Sequence, residues 1–310
     1  MSGQLYDVSL STMWAKGNFP SLGDFFEAAR QLGYSKIELN HQINSAMLVG
    51  SNLERYQFSS VHEPCPADIS VEMLKQRGWM VSSLDDECRR QGVRAIQRSI
   101  DLAFELSAPV VVVHAGNVHT DITLEKKLRA LFEAGKNKTA EYQMIKEEVI
   151  KFRANLAESC LEAVKKSLTD LLAYAARFNI RLGLENRYHY LDIPIPDEMG
   201  PLLDLAEPDR LGFVYDVGHA QALDRLGFFP HEEWLNRYAS RMIGAHLHDV
   251  NGVNDHYAPG QGEIDFDWVA GYLPQEAFRT CELQPAMTSE QVIDGLKVLV
   301  DHGCIRSLST

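Results

Sequence analysis

The stretch Val110-Val-Val-Val-His114 places a potential metal ligand directly after four β-branched residues. Such a short apolar run predicts a strand that is buried on both faces, as in a parallel sheet. Five other runs end in the same way: Phe58–Val61 at His62, Ile180–Leu184 at Glu185, Gly212–Tyr215 at Asp216, Ile243–Ala245 at His246, and Thr280-Cys281 at Glu282. Several parallel strands that end in such residues indicate an α/β fold of the (β/α)₈ TIM-barrel type, whose active site lies at the carboxyl ends of its strands.

The order of elements along the chain supports this fold. Strand and helix patterns alternate almost throughout, which is typical of a parallel sheet. Lys36-Ile-Glu-Leu-Asn40 predicts the second strand, and the spacing of Thr288 and Gln291 predicts a capping box ahead of the terminal helix. No repeat, low-complexity tract or linker marks a boundary, so we predict a single barrel domain over residues 1–310.

The segment between the fourth predicted strand (109–114) and the fifth (180–185) is too long for a plain barrel unit. We expect a long helical insertion there, at about 121–178. Apolar residues recur every three or four positions over 145–175, which predicts one long amphipathic helix. Insertions after barrel strands project from the catalytic face, where such a segment can overhang the pocket or meet a partner subunit. We favour packing, or assembly into a homodimer or homotetramer, over a mobile lid.

Composition limits the class of protein. The 30 basic and 43 acidic residues give a net charge of −13, which disfavours nucleic acid as a partner. The amino terminus has no signal-peptide pattern, and no segment is long enough to span a bilayer. The five cysteines form no CxxC pair. We therefore expect a cytoplasmic protein with reduced thiols and a small-molecule partner.

Two overlapping sets of side chains predict a metal site. Glu185, Asp216, His246 and Glu282 are three carboxylates and one imidazole, which suit a divalent ion with a preference for oxygen ligands. His62 and His114, with Glu185 shared, form a nitrogen-rich set that favours zinc. We expect Mn²⁺ or Zn²⁺, with Mg²⁺ and Co²⁺ as further candidates. A metal-free polar cluster is less favourable, because a buried, unpartnered Glu is costly.

Other polar residues extend these sets. His219 follows Asp216 by one helical turn, and His256 lies in a glycine-containing loop that can fold over the site, so both are further candidate ligands. The predicted substrate contacts are Arg187, His189, His248 and Trp14, although Trp14 fits the core equally well. The four histidines that close no apolar strand are expected to be structural: His41, His119, His231 and His302.

The chain resembles the xylose-isomerase-like TIM-barrel superfamily of sugar phosphate isomerases, epimerases and endonuclease IV. The motifs that carry the resemblance are Gly183-Leu-Glu-Asn186, Tyr215-Asp-Val-Gly-His219, His246-Leu-His-Asp249 and Pro259-Gly-Gln-Gly-Glu-Ile-Asp-Phe266. In the epimerase branch, the resemblance implies that Glu185, Asp216, His246 and Glu282 bind one metal. It also implies that Glu185 and Glu282 shuttle the proton.

In the endonuclease branch, the resemblance implies a trinuclear zinc cluster that also uses His62, His114, His219 and His256. That cluster needs an aspartate two residues before the loop histidine, where this chain has Asn254, with Asp255 beside it. Ketohexose epimerases place a further Glu and an Arg where this chain has Leu191 and Gly252. A free ketohexose handled in that manner is therefore disfavoured.

Three functions follow as hypotheses. The first is metal-dependent isomerisation or epimerisation of a sugar-like α-hydroxy-carbonyl compound through an enediolate, with Glu185 and Glu282 as the acid/base pair and His219 polarising a substrate oxygen. The second is zinc-dependent phosphodiester hydrolysis of the endonuclease IV kind. The third is a barrel that binds metal or sugar without catalysis.

Overall fold

In the computed structural model, which describes residues 4–308, eight parallel strands close into a barrel. The barrel strands are β1 (Tyr6–Ser11), β2 (Tyr34–Leu39), β3 (Phe58–His62), β4 (Val110–Val113), β5 (Arg181–Glu185), β6 (Leu211–Asp216), β7 (Met242–His246) and β10 (Phe278–Cys281). Between β7 and β10, strands β8 (Asp249–Asn251) and β9 (Asn254–Tyr257) form a separate antiparallel hairpin. Each barrel strand pairs with the next one along the chain, and β10 closes the barrel on β1. The predicted fold is confirmed; residues 1–3 and 309–310 of the predicted domain lie outside the described residues.

Helices surround the barrel and fill the connections between its strands. They are α1 (Leu22–Leu32), α2 (Ser45–Leu48), α3 (Val71–Gln76), α4 (Asp86–Glu105), α5 (Thr123–Glu133), α6 (Ala140–Ala154), α7 (Ala157–Ala175), α8 (Pro196–Leu203), α9 (Val217–Arg225), α10 (Glu232–Tyr238), α11 (Phe266–Ala270) and α12 (Ser289–Asp301). The predicted capping box of Thr288 and Gln291 is present at the start of α12. Within the described part of the chain, none of these helices has the length and apolar character needed to cross a bilayer.

The barrel interior changes in polarity from one end to the other. Near the amino ends of the strands, an apolar cluster fills it: Val110, Val112, Val214, Ile243 and Phe278. Above this cluster, the Glu38 carboxylate accepts a hydrogen bond of 2.5 Å from Ser60 Oγ. Side chains alternate between the inside and outside of a strand, so the last inward positions bring the predicted ligands to the carboxyl ends.

The region predicted as one insertion consists of two different parts. The helix predicted over 145–175 is interrupted, because Leu156 has non-helical backbone angles (φ −126°, ψ −3°) between α6 and α7. The apolar face of α7 packs in the main core, so α7 is an ordinary barrel helix. The apolar residues of α5 and α6 form a separate core, which includes Leu128, Ile145 and Val149. The prediction of a single long helix was therefore wrong, and the added part is α5 with α6.

The α5–α6 pair packs on the loop that follows β5. Arg153 of α6 donates to both carboxylate oxygens of Glu198, at 2.7 and 2.6 Å. Arg129 of α5 donates to the carbonyl oxygen of Tyr188 at 2.6 Å. These buried contacts attach the pair to the barrel beside the ends of the strands. Assembly into an oligomer stays a prediction.

Candidate metal centre and active site

Three predicted carboxylate ligands converge on a ring nitrogen of a fourth predicted ligand at the carboxyl ends of the strands. His246 Nδ1 lies 2.7 Å from Glu185 Oε1, 3.1 Å from Glu282 Oε2 and 3.6 Å from Asp216 Oδ2. All four residues are at most 2% exposed. Three carboxylates that are distant along the chain therefore surround a single imidazole nitrogen.

The geometry of this cluster fits a divalent cation. Glu185 Oε1 and His246 Nδ1 are buried and close together, yet neither has a hydrogen-bond partner of acceptable geometry among the described residues. Groups that point at a common position without bonding to one another are what an ion between them requires. Burying three carboxylates without a compensating charge is also costly. Hence these residues could hold a divalent metal.

The electrostatics keep the ligands in the state that binds metal. Burial alone would raise the pKa of Glu185, but the neighbouring imidazoles of His114, His246 and His62 hold that pKa well below its usual value. Burial likewise opposes ionisation of Asp216, and the neighbouring His219 and His248 outweigh it, so the pKa of Asp216 is lowered. Both carboxylates are thus ionised at neutral pH, as metal binding requires.

A second group adjoins the first through Glu185. His62 Nε2 and His114 Nε2 are 3.1 Å apart. They lie 3.6 and 2.9 Å from the two oxygens of Glu185. The nitrogen-rich set predicted from sequence therefore comes together, and its composition suits zinc.

A third group contains an aspartate that the sequence prediction did not assign. His219 Nδ1 contacts the carbonyl oxygen of Asn186 at 2.9 Å, and its Nε2 lies 3.6 Å from Asp255 Oδ2. Asp255 Oδ1 is 2.8 Å from His256 Nδ1. Asn254, in contrast, reaches Glu133 at 3.3 Å. The hairpin of β8 and β9 thus presents residue 255, not residue 254, to the histidines.

His248 contacts Asp216 and the loop histidine His256. It is fully buried, and its Nε2 lies 3.1 Å from each oxygen of Asp216. Its Nδ1 accepts the backbone N–H of His256 at 3.0 Å. Gly218 leaves room for this ring, because a Cβ at that position would overlap it. His248 is not among the residues that line the cavity described below; its ring instead supports Asp216, and its role as a substrate contact stays a prediction.

The prediction for Trp14 as a substrate contact is corrected. Its side chain is 2% exposed, and Nε1 donates to the carbonyl oxygen of Met287 at 2.8 Å. The indole packs edge-on against Phe19, with ring centroids 5.2 Å apart. Of the two alternatives for Trp14, the structure supports the core position.

A cavity of about 280 Å³ opens from these clusters. Its polar wall includes His114, Arg187, His189, His219, Asp255 and His256, and its apolar wall includes Val71, Leu74, Trp79, Met80, Val81 and Ile96. Arg187 and His189 thus lie where substrate contacts were predicted, and their role stays a prediction. Arg187 Nη1 also bonds to Glu185 Oε2.

Two further residues at the site were missed. His41 lines the cavity, and burial together with the nearby His62 lowers its pKa to about 4, so it is neutral at physiological pH. Glu38 is fully buried in the barrel, with Oε2 3.2 Å from His246 Nε2. A carboxylate on the second nitrogen of a ligating histidine orients the ring. Glu38 belongs to the predicted second strand, and His41 follows that strand. The strand mixes polar and apolar residues, so it gave a weaker signal than the purely apolar runs.

The fold and these clusters define a (β/α)₈ barrel with a candidate metal centre at the carboxyl ends of its strands. The family model described as "Xylose isomerase-like TIM barrel" matches residues 26–300. The chain belongs to this family.

Individual relatives are distant. The chain is 24% identical over 188 residues to "Uncharacterized protein MJ1311" of Methanocaldococcus jannaschii, a match that covers 60% of this chain and 53% of that protein. The chain spans about half the length of the curated relatives it matches first, 53% and 51%.

Two solved structures illustrate the shared fold. A D-tagatose 3-epimerase-like protein is 18% identical, with a TM-score of 0.66 and 96% of both chains covered. The IOLI protein with a binding zinc atom is 15% identical, with a TM-score of 0.67, and 96% of this chain and 98% of that chain are covered. At these identities, the likeness concerns the fold.

Proposed function

We propose that this protein is a divalent-metal-dependent isomerase or epimerase that acts on a sugar or a related α-hydroxy-carbonyl compound. The observation that carries the proposal is the convergence of Glu185, Asp216 and Glu282 on His246 Nδ1 beside a small cavity. A cavity of about 280 Å³ suits a small molecule. The epimerase-like and zinc-bound structures with the same fold support the class of reaction and the kind of ion.

The residues that would hold the ion are Glu185, Asp216, His246 and Glu282, with Zn²⁺ or Mn²⁺ preferred. When bound, such an ion polarises the substrate carbonyl and stabilises the negative charge that develops on its oxygen. The proposal requires that the cavity admit the substrate while His248 and Glu38 keep Asp216 and His246 in place.

In the proposed reaction, Glu185 and Glu282 move the proton. Glu185 ends β5 and Glu282 follows β10, and both are ionised, so each can accept a proton from carbon. One carboxylate removes the proton next to the carbonyl, which gives an enediolate. The other takes up a proton from solvent and delivers it to the opposite face for epimerisation, and the first releases its proton to solvent. Delivery of a proton to the neighbouring carbon, with transfer of the hydroxyl proton to the former carbonyl oxygen, gives isomerisation. Arg187 and His219 lie where they can bind substrate oxygens.

The direct test is proton exchange in D₂O. Metal-replete protein is incubated with a panel of ketoses, aldoses, their phosphates and keto-polyols, and deuterium is followed by NMR and mass spectrometry. We expect deuterium on the carbon next to the carbonyl of at least one compound. Chelation should stop the exchange, and Zn²⁺ or Mn²⁺ should restore it. No incorporation from any compound by the metal-saturated protein would contradict the proposal.

A second candidate function is zinc-dependent phosphodiester hydrolysis of the endonuclease IV kind. The observation that favours it is the third group, because Asp255 supplies an aspartate that residue 254 lacks. The net charge of −13 opposes it. Three bound ions and incision of an abasic duplex at low salt would favour this function, whereas one ion with deuterium exchange would favour the first.

A further inference from the structure

The α5–α6 pair places a buried carboxylate behind the wall of the cavity. Glu125 of α5 is fully buried, and its Oε1 lies 2.8 Å from His189 Nδ1. His189 belongs to the loop after β5, lines the cavity, and has a side chain that is 26% exposed. An element outside the barrel therefore contacts a side chain that faces the substrate space.

Arg129 anchors this carboxylate. Its Nε and Nη2 donate to Glu125 Oε1 at 3.1 and 3.0 Å. Its guanidinium also lies 3.9 Å from the centre of the Tyr188 ring. Arg129 therefore balances the charge of the buried Glu125 carboxylate.

These contacts determine which nitrogen of His189 carries the hydrogen. A carboxylate next to Nδ1 accepts a hydrogen bond, so the neutral ring carries its hydrogen on Nδ1. Its Nε2 is then a hydrogen-bond acceptor. Nε2 makes no hydrogen bond to any residue between 4 and 308, whereas Nδ1 does. The free acceptor belongs to a side chain that lines the cavity.

We propose that the Glu125–His189 pair positions the substrate, with His189 Nε2 accepting a hydrogen bond from a substrate hydroxyl group. This inference rests on the proposed function and specifies the substrate further: it carries a hydroxyl group beyond the atoms that react. Glu125 acts through His189 and is a positioning residue. The α5–α6 pair, an addition to the barrel, thereby takes part in substrate selection.

The first experiment measures the tautomer of His189 and needs no substrate. Protein labelled with ¹⁵N-histidine is examined by long-range ¹H–¹⁵N NMR, and the His189 signals are assigned from their loss in His189→Phe. We expect the Nδ1–H form in the wild-type protein. In the double variant Glu125→Met/Arg129→Met, which replaces the ion pair by apolar side chains of similar volume, we expect this preference to be lost.

The matched control is the double variant Arg153→Met/Glu198→Met. This variant removes a different buried ion pair, in which Arg153 Nη2 of α6 lies 2.6 Å from Glu198 Oε2 of α8. Neither residue contacts the His189 side chain. Its His189 tautomer should equal that of the wild-type protein. An Nε2–H form or a doubly protonated ring in the wild-type protein, or equal changes in both double variants, would overturn the proposed pair. If the Glu125 double variant does not fold, the wild-type tautomer and His189→Phe still decide the question.

The second experiment uses the compound that exchanges fastest in D₂O. His189→Phe and the Glu125 double variant should each raise KM by about tenfold and leave kcat within about twofold, because a contact made equally before and during reaction affects binding alone. The Arg153 double variant should leave KM unchanged. Unchanged KM in both test variants would overturn the substrate contact. If the wild-type protein exchanges no compound, the proposed function fails together with the substrate contact, and the tautomer result separately decides the pair.

Discussion

Replacing His246 by Gln is expected to lower the affinity for Zn²⁺ or Mn²⁺ by about 1,000-fold, which corresponds to about 4 kcal/mol. In the structure, His246 Nδ1 faces the three carboxylates while Nε2 faces Glu38. A Gln amide can place its nitrogen near the position of Nε2 and keep the contact with Glu38. It has no atom at the position of Nδ1, so the nitrogen that faces Glu185, Asp216 and Glu282 is lost.

The comparison variant is His246→Asn, whose amide can place an oxygen near the position of Nδ1. We expect a smaller loss of affinity, about 30- to 100-fold, because an amide oxygen is a weaker ligand than imidazole. Affinity is measured by competition with a chelator of known affinity, and folding is checked by circular dichroism. Equal affinities for wild-type protein and His246→Gln would show that the ion does not bind at Nδ1. Glu198→Gln, a buried carboxylate away from the centre, should bind metal as the wild-type protein does.

Replacing Glu282 by Gln is expected to lower product formation by at least about 1,000-fold at saturating metal, within the range for loss of an acid/base group. The effect on exchange should be partial. If Glu185 and Glu282 act on opposite faces of the substrate, Glu282→Gln still allows Glu185 to remove and return a proton on its own face. Deuterium should then enter the substrate with retention of configuration.

The mirror variant, Glu185→Gln, should give exchange from the other face, after its weaker metal affinity has been offset by added metal. Substrates of each configuration, examined separately, identify the face on which each carboxylate works. Product formation by Glu282→Gln at the wild-type rate would remove Glu282 from the proton transfer. Equal loss of all exchange in both variants, with metal bound, would argue instead for one shared base.

The barrel and its candidate ligands were predictable because a single pattern carried both. Val110–Val113 is short, β-branched and buried, and it is followed by His114; the same arrangement recurs around the barrel. A strand of this kind fixes the position of its last residue, so the pattern predicted which side chains meet. The capping box at Thr288 was equally local, since side chains and backbone within one helical turn decide it.

The features that were missed depend on tertiary contacts. The break at Leu156 leaves the helical period of the apolar residues intact, and only the existence of two separate cores reveals it. Whether residue 254 or 255 faces the histidines is set by the hairpin, in which His256 has a φ of 63°. Glu38 lies on a strand of mixed polarity, and its partner His246 is 208 positions away in the chain.

The position of Glu38 has a consequence for the mechanics of the barrel. Its carboxylate contacts both Ser60 of β3 and His246 of β7, so polar contacts connect these strands across the barrel interior beneath the candidate ligands. An ion that fixes His246 from above would also stiffen strands that contribute no ligand to it. Slow amide hydrogen exchange in β2 should therefore report whether the centre is loaded, even though β2 contributes no residue to the converging ligand set.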